Sequence, residues 1–435
     1  MKNRILVLVV GLCASLSFIC CGGYRSGGAH SGLPHRVLAS QGVNATPIFG
    51  GLVMVNGDND TIARVSSLDP GTSPGFMVAS PTRNVVAAYD SSSTSVDAVD
   101  TARESPLGTV KLPGPTTSIV VPTANATGFA AVPTATINGP AFQGAVEALN
   151  FPAGSLTTIA VSNAQTVVSN SLGTQLLVFS ADSDNVTVLF PSAAIPPVDT
   201  SCYDNPANPA VCVIVQDARL SRPVNAIVNG TTAYILNCGF ECGGTLPASV
   251  AVFDLGSLAI TQTVTLDAAT MALLNGSTLY VVGTPLANPC PASQNTAATT
   301  CGMLDVLDLT SMQVTASTPI TDGYHDRMDL TTNGQLFIGS RNCTNIGNVN
   351  NPSGEVRGCL TIYKIADGSV VFPPDNGDVT GLQSFTTRNV EYVAEGGQLR
   401  VYDTTKDILL INDFVPLGTI DIVGYVGDVK AIDFF

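Results

Sequence analysis

The tetrapeptide Tyr324-His325-Asp326-Arg327 holds the densest chemistry in the chain. A histidine gives or takes a proton near neutral pH, a carboxylate can orient it, and a guanidinium can hold a carboxylate or phosphate through its fork of N–H donors. The same residues also read as a polar turn whose side chains satisfy loop backbone groups. Asp375, Asn376 and Asp378 form a second constellation, with oxygen ligands at the alternate spacing of a calcium loop. That run is short of a full calcium loop and is also an ordinary turn sequence. The catalytic candidates are His325, Arg327 and Glu395. The ligand-binding candidates are Arg222, Tyr324, His325, Arg327, Arg341 and Asp375.

Other catalytic patterns are absent. The chain has no Gly-x-Ser-x-Gly elbow, His-Glu-x-x-His, Walker loop or strand-linked Gly-x-Gly-x-x-Gly. Of its 3 histidines, His30 and His35 lie near the N-terminus, which leaves little for a Ser-His-Asp set or a metal cluster. No cofactor is expected. Acidic residues outnumber basic ones 33 to 18, a net charge of −15, so a polyphosphate backbone is repelled and nucleic acid is not an expected partner. Asp97, Glu147 and Asp305 alternate with apolar neighbours and are expected to face solvent.

Eight cysteines follow the N-terminal region: Cys202, Cys212, Cys238, Cys242, Cys290, Cys301, Cys343 and Cys359. Eight thiols allow 105 connectivities. These fall as neighbouring couples within segments rich in Asn, Pro, Gly and Thr, and the expected bridges are 202–212, 238–242, 290–301 and 343–359. Zinc on Cys238-Gly-Phe-Glu-Cys242 would need two further ligands, and only His325 stands in the structured region.

Lys2 and Arg4 precede an apolar run from Ile5 to Ile19, which reads as a signal segment over 1–21. The run ends at Cys20-Cys21-Gly22-Gly23 and resembles the lipobox of bacterial lipoproteins. The resemblance implies lipidation at Cys21 or Cys20, with Phe18 and Ile19 bulkier than the usual residues. Residues 22–35 are Gly- and Ser-rich and read as a flexible tether. No later apolar run is long enough to span a bilayer, so the membrane contact expected is a lipid anchor only.

These candidates must be positioned by strands. Leu399-Arg-Val-Tyr-Asp403 alternates apolar and polar residues into a polar turn, and versions recur at Ser95–Asp100, Ala145–Asn150, Val250–Asp254, Leu304–Asp308 and Leu360–Tyr363. The copies lie roughly forty to sixty residues apart, a period that signals propellers or solenoids. Strand signals from His35 onward come in groups of four. The first group is incomplete, and one or two spare strands follow the eighth, at Ile420–Val423 and Asp428–Phe434. The spare strand can complete the first sheet and remove its edges. The fold expected is all-β, a single β-propeller over 36–435 with eight blades by count, seven being the near alternative. A pair of β-sandwich domains is the other arrangement weighed.

Thr232-Ala-Tyr-Ile-Leu-Asn237 with Ser249-Val-Ala-Val-Phe-Asp254, and Asn389-Val-Glu-Tyr-Val-Ala394 with Gln398-Leu-Arg-Val-Tyr-Asp403, resemble the YVTN-type propeller repeat. That resemblance implies the fold. The family includes surface-layer proteins, exported propellers of unknown role and lactonase-like propellers. In such a ring the couples 238–242, 290–301 and 343–359 share a face with Arg222, residues 322–327 and 375–378, and the strand ends Arg341 and Glu395. The couple 202–212 is placed on the opposite face. The function expected is a monomeric, non-enzymatic scaffold presenting that face to a protein, glycan or small ligand. The alternative is a lactonase-like hydrolase at the channel mouth near His325.

Overall fold

Short alternating runs broken by Asp-led turns drive this chain into antiparallel hairpins. Asp254, Asp308 and Asp403 each end a third strand and accept the backbone N–H two or three residues on, from Ser257, Thr310 and Thr405. The computed structural model describes residues 31–42, 50–68, 71, 73–123, 126–203, 208–287, 290, 300–344, 359–373 and 377–433. Over these residues the strands form eight sheets, antiparallel except for one short added strand, the blades of one β-propeller. The innermost strands of blades one to eight are Tyr425–Ala431, Pro74–Ala79, Ser118–Val120, Ala164–Ser169, Pro223–Asn229, Met271–Asn275, Tyr324–Leu330 and Val379–Phe385.

Blade one is closed by the far end of the chain. Tyr425–Ala431 pairs antiparallel with Arg36–Gly42, matching Val37 with Ala431 and Ser40 with Asp428. Arg36 reinforces the seam. Its Nη2 and Nε lie 2.8 and 2.9 Å from the Asp433 carboxylate, and its Nη1 is 2.8 Å from Glu104 of blade two. A second latch joins blades eight and one, where Arg388 forks onto Asp60 with two contacts of 2.8 Å and Tyr392 donates to the same carboxylate. Bidentate pairs of this kind fix geometry as well as energy. The closing strand thereby covers the otherwise unpaired edge of Arg36–Gly42.

The core lies between blades. Val37, Val55, Tyr392, Leu399 and Val401 pack between blades eight and one, while Tyr402 turns the other way onto Phe337 of blade seven. Middle strands are therefore covered on both faces. For this reason Asp97, Glu147 and Asp305, expected to face solvent, are buried, the least buried of them 5% exposed. Such a carboxylate must be hydrogen-bonded. Each accepts from a hydroxyl on the fourth strand: Thr109 to Asp97, Thr158 to Glu147 and Ser317 to Asp305.

The four cysteine couples are bridged as their spacing suggests. Disulfides at this density belong to a chain folded in an oxidising compartment. Cys212 starts a strand opposite Leu189. The long insertion before it lends blade three a fifth strand, Val198–Asp199, parallel to Ser155–Ala160. The segment 1–30, with Cys20 and Cys21, lies outside the described residues. Within the stretch expected as a tether, Ser31 donates to Glu104 and Leu33 packs on the core of blades one and two.

Candidate functional site in the central channel

All eight inner strands contribute to one cavity of about 870 Å³ along the ring axis. That size suits a small ligand. How the strands begin decides what they present there. Six of them carry a bulge in their first residues, at Val426/Asp428, Pro74/Met77, Ala164/Thr166, Pro223/Asn225, His325/Arg327 and Val379/Gly381. Bulges recur at barrel rims because one extra residue re-aims the side chains. In blade seven His325 pairs with Ser340 and Arg327 with Gly339, leaving Asp326 as the extra residue. A regular strand would send Asp326 and Arg327 to opposite faces. The bulge lets both line the cavity.

Gly323 sets up this start. Its φ of +96° lies in the left-handed region, and a Cβ there would come 2.5 Å from the Arg341 carbonyl oxygen. Only glycine meets both demands without strain.

The charged lining comprises Arg222, Arg327, Arg341 and Lys430 against Asp182, Asp326 and Asp428. Four cations against three carboxylates is the reverse of the chain as a whole, which holds 18 bases against 33 acids. Asp326 is the hub. Its Oδ2 lies 2.7 Å from Arg341 Nη2 and 3.4 Å from Arg327 Nη1, while its Oδ1 is buried with no hydrogen-bond partner among the described residues. Burial pushes the Asp326 carboxyl above the usual carboxylate range. The two arginines pull it down, and Asp428 and Asp378 push it further up. Lys430 holds Asp428 at 2.8 Å, and Arg327 Nε donates to the Thr380 carbonyl at 2.7 Å. Across the axis, the Arg222 backbone N–H donates to Asp184, and its Nη1 lies 3.8 Å from the exposed Asp182. Tyr324, half exposed at the rim, adds an aromatic face.

Four of the residues singled out from sequence, Arg222, Tyr324, Arg327 and Arg341, thus line one cavity with Asp326. His325 does not line it. The bulge turns its ring into the wall, fully buried, where a Cβ on Gly302 would come 2.7 Å from Cε1. Burial holds the imidazole down at about 4, so it is neutral near pH 7. Glu395 is also fully buried, accepting from Tyr402 at 3.2 Å with Arg400 3.8 Å away. Asp375 and Asn376 lie outside the described residues. Asp378 accepts the Asn342 N–H at 2.8 Å.

Sequence reading passed over Lys430, Asp428 and Glu241. The first two sit on the closing strand, which reads as purely structural until the ring is seen to set it against the axis. Glu241 stands inside the Cys238–Cys242 loop, and Cys242 lines the cavity. It accepts the Thr284 N–H at 3.0 Å, and burial pushes its carboxyl up to about 7. Its position inside a short cysteine couple was the available signal.

Fold and site together define an eight-bladed propeller with a cation-rich channel. No family model and no curated protein matches the chain, so its likeness to YVTN-type repeats rests on the repeat residues themselves. Among solved structures it is similar to the dihydro-heme d1 dehydrogenase NirN in complex with DHE, at 11% identity over 92% of this chain and 75% of that one, with a TM-score of 0.59. It is also similar to the periplasmic gluconolactonase PpgL of Pseudomonas aeruginosa, at 15% identity over 92% and 99% of the two chains, TM-score 0.46. A third is hydrazine synthase of Kuenenia stuttgartiensis, at 15% identity over 78% of each chain, TM-score 0.44. At these identities the likeness is one of fold alone.

Proposed function

We propose that this chain is an exported, lipid-tethered, monomeric propeller that binds a small acidic molecule in its central channel without transforming it. One observation carries the reading. Arg222, Arg327, Arg341 and Lys430, from three different blades, converge on one cavity in a chain that is otherwise strongly acidic. Guanidinium forks match carboxylate geometry, and a partly enclosed cavity strengthens each contact relative to open water. Tyr324 offers a flat apolar surface to the ligand body, as aromatic residues do where one side of a molecule must stay wet.

A hydrolytic reading has one observation in its favour. The Oδ1 of Asp326, without a hydrogen-bond partner among the described residues, could take a proton from water, with Arg327 and Arg341 near a developing oxyanion. The enclosed His325 has no part in it. A thermal-shift screen of sugar acids and dicarboxylates, run beside a hydrolysis assay on a lactone panel, separates the two. The binding reading expects acids to raise the melting temperature, their uncharged amides to leave it unchanged, and lactones to survive. Lactone turnover abolished by Asp326→Asn would replace it with the hydrolytic one.

A further inference from the structure

We infer that the channel takes a carboxylate in exchange for the internal one, so that ligand entry is coupled to uptake of one proton by Asp326. This rests on the binding reading above and specifies the chemistry of the same site.

The geometry comes first. Asp326 occupies the best guanidinium contact in the cavity, 2.7 Å from Arg341 and 3.4 Å from Arg327, yet it uses one oxygen for both. Its other oxygen is buried and unpartnered among the described residues. Of the other cations, Lys430 is held by Asp428 and the Val429 carbonyl, and the Arg222 guanidinium, on blade five, lies 3.8 Å from the exposed Asp182. An incoming carboxylate therefore finds its natural seat filled by a carboxylate of the protein.

Two anions cannot share that seat at close range without a proton between them. The groups facing Asp326 are Tyr324 and Arg327 on its own strand, Arg341 on the neighbouring strand, Asp378 from the blade-eight connector and Asp428 from the closing strand. When the ligand draws off the arginines, the two carboxylates and burial remain, and all three favour the protonated acid. The neutral Asp326 can then donate its O–H to the ligand oxygen that replaced it. The exchange balances as one anion and one solvent proton taken up, with no bond to carbon made or broken. Linkage makes the effect reciprocal: ligand binding raises proton affinity at Asp326 by the factor by which protonation raises ligand affinity.

Calorimetry of the full-length, disulfide-bonded protein with galacturonate, succinate and sulfate tests this, each in two buffers of different ionisation heat between pH 5 and 8. All three anions stay essentially ionised near neutral pH. The expected result is uptake of about one proton per galacturonate or succinate near neutrality, with affinity falling roughly tenfold per pH unit above the Asp326 titration. Asp326→Asn should bind with no proton uptake and no pH slope. The wild-type proton count decides the matter even if that variant does not fold. Carboxylate binding with no proton taken up overturns the coupling and leaves the binding reading standing. Binding of sulfate alone overturns the carboxylate class. No binding of any anion at any pH overturns both readings.

Discussion

The Thr158 hydroxyl donates to Glu147 Oε2 over 2.7 Å, from the position directly opposite on the adjacent strand. The same relationship joins Thr109 to Asp97 and Ser317 to Asp305, each pair in direct register between third and fourth strands. Asp305 also accepts the N–H of Asp267, on the connector from the preceding blade. These pairs let an acidic residue sit between blades, with a cross-strand hydroxyl offsetting part of its desolvation.

Glu147 gives the clearest stability prediction. Burial pushes its carboxyl up to about 7 from an ordinary 4.5. Between those values the folded chain keeps a proton that the unfolded chain has lost, so stability falls as pH rises, by on the order of 3 kcal/mol once above 7. Glu147→Gln removes that loss. Its melting temperature is expected to exceed the wild type at pH 8 and to converge with it at pH 4.5. Parallel curves would contradict the assignment.

His325 has the opposite sign. Its imidazole is held at about 4 against an ordinary 6.5, so between them the unfolded chain binds the extra proton. Stability present above 6.5 is lost as pH falls toward 4, again by on the order of 3 kcal/mol. Replacing the ring by His325→Gln should cost about 1–3 kcal/mol at pH 7.5 through lost packing. At pH 5 the difference from wild type should shrink, as chemical denaturation at the two pH values would show.

The ring seam is tested by deleting residues 428–435. The loss of most of the closing strand and of Asp433 exposes the edge of Arg36–Gly42. Hydrogen exchange at Val37 to Gln41 should then speed up strongly, although these residues lie at the other end of the chain. The milder Asp433→Asn weakens the buried Arg36 pair and should cost about 3 kcal/mol. Unchanged protection in blade one would mean that the seam does not close the ring.

Disulfide contributions should follow loop length. The chain-entropy model gives about 2 kcal/mol for Cys238–Cys242 and about 3 kcal/mol for Cys343–Cys359. Non-reducing peptide mapping should recover only the four local pairs. Replacing Cys238 and Cys242 together by Ser should weaken acid binding more than replacing Cys202 and Cys212, because Cys242 lines the cavity. Equal effects would contradict that position.

Much of the architecture was legible in the residues. The recurring strand ending in Asp, the incomplete first group and the spare last strand together indicate a closed ring, eight-bladed by count with seven as the near alternative. The cysteine couples were readable because each closes a short loop. What escaped has a physical cause. Strict alternation assigns one face of a strand to water, but a middle strand in a propeller touches a blade on each side, which hid the burial of Asp97, Glu147 and Asp305. No local pattern announces the bulge at Asp326, so His325 stood among the catalytic and ligand-binding candidates when the backbone turns it into the wall. Lys430 belonged to a strand whose partners lie almost the whole chain away.

The central claim is that the arginines of blade seven hold an acidic ligand in the channel. Galacturonate titrated into wild type and into Arg341→Ala tests it most directly, with a melting curve confirming that the variant is folded. A charge-assisted hydrogen bond contributes about 1.5–3 kcal/mol, so the account predicts a loss of affinity of roughly ten- to a hundredfold. Equal affinity in the two folded proteins would contradict it.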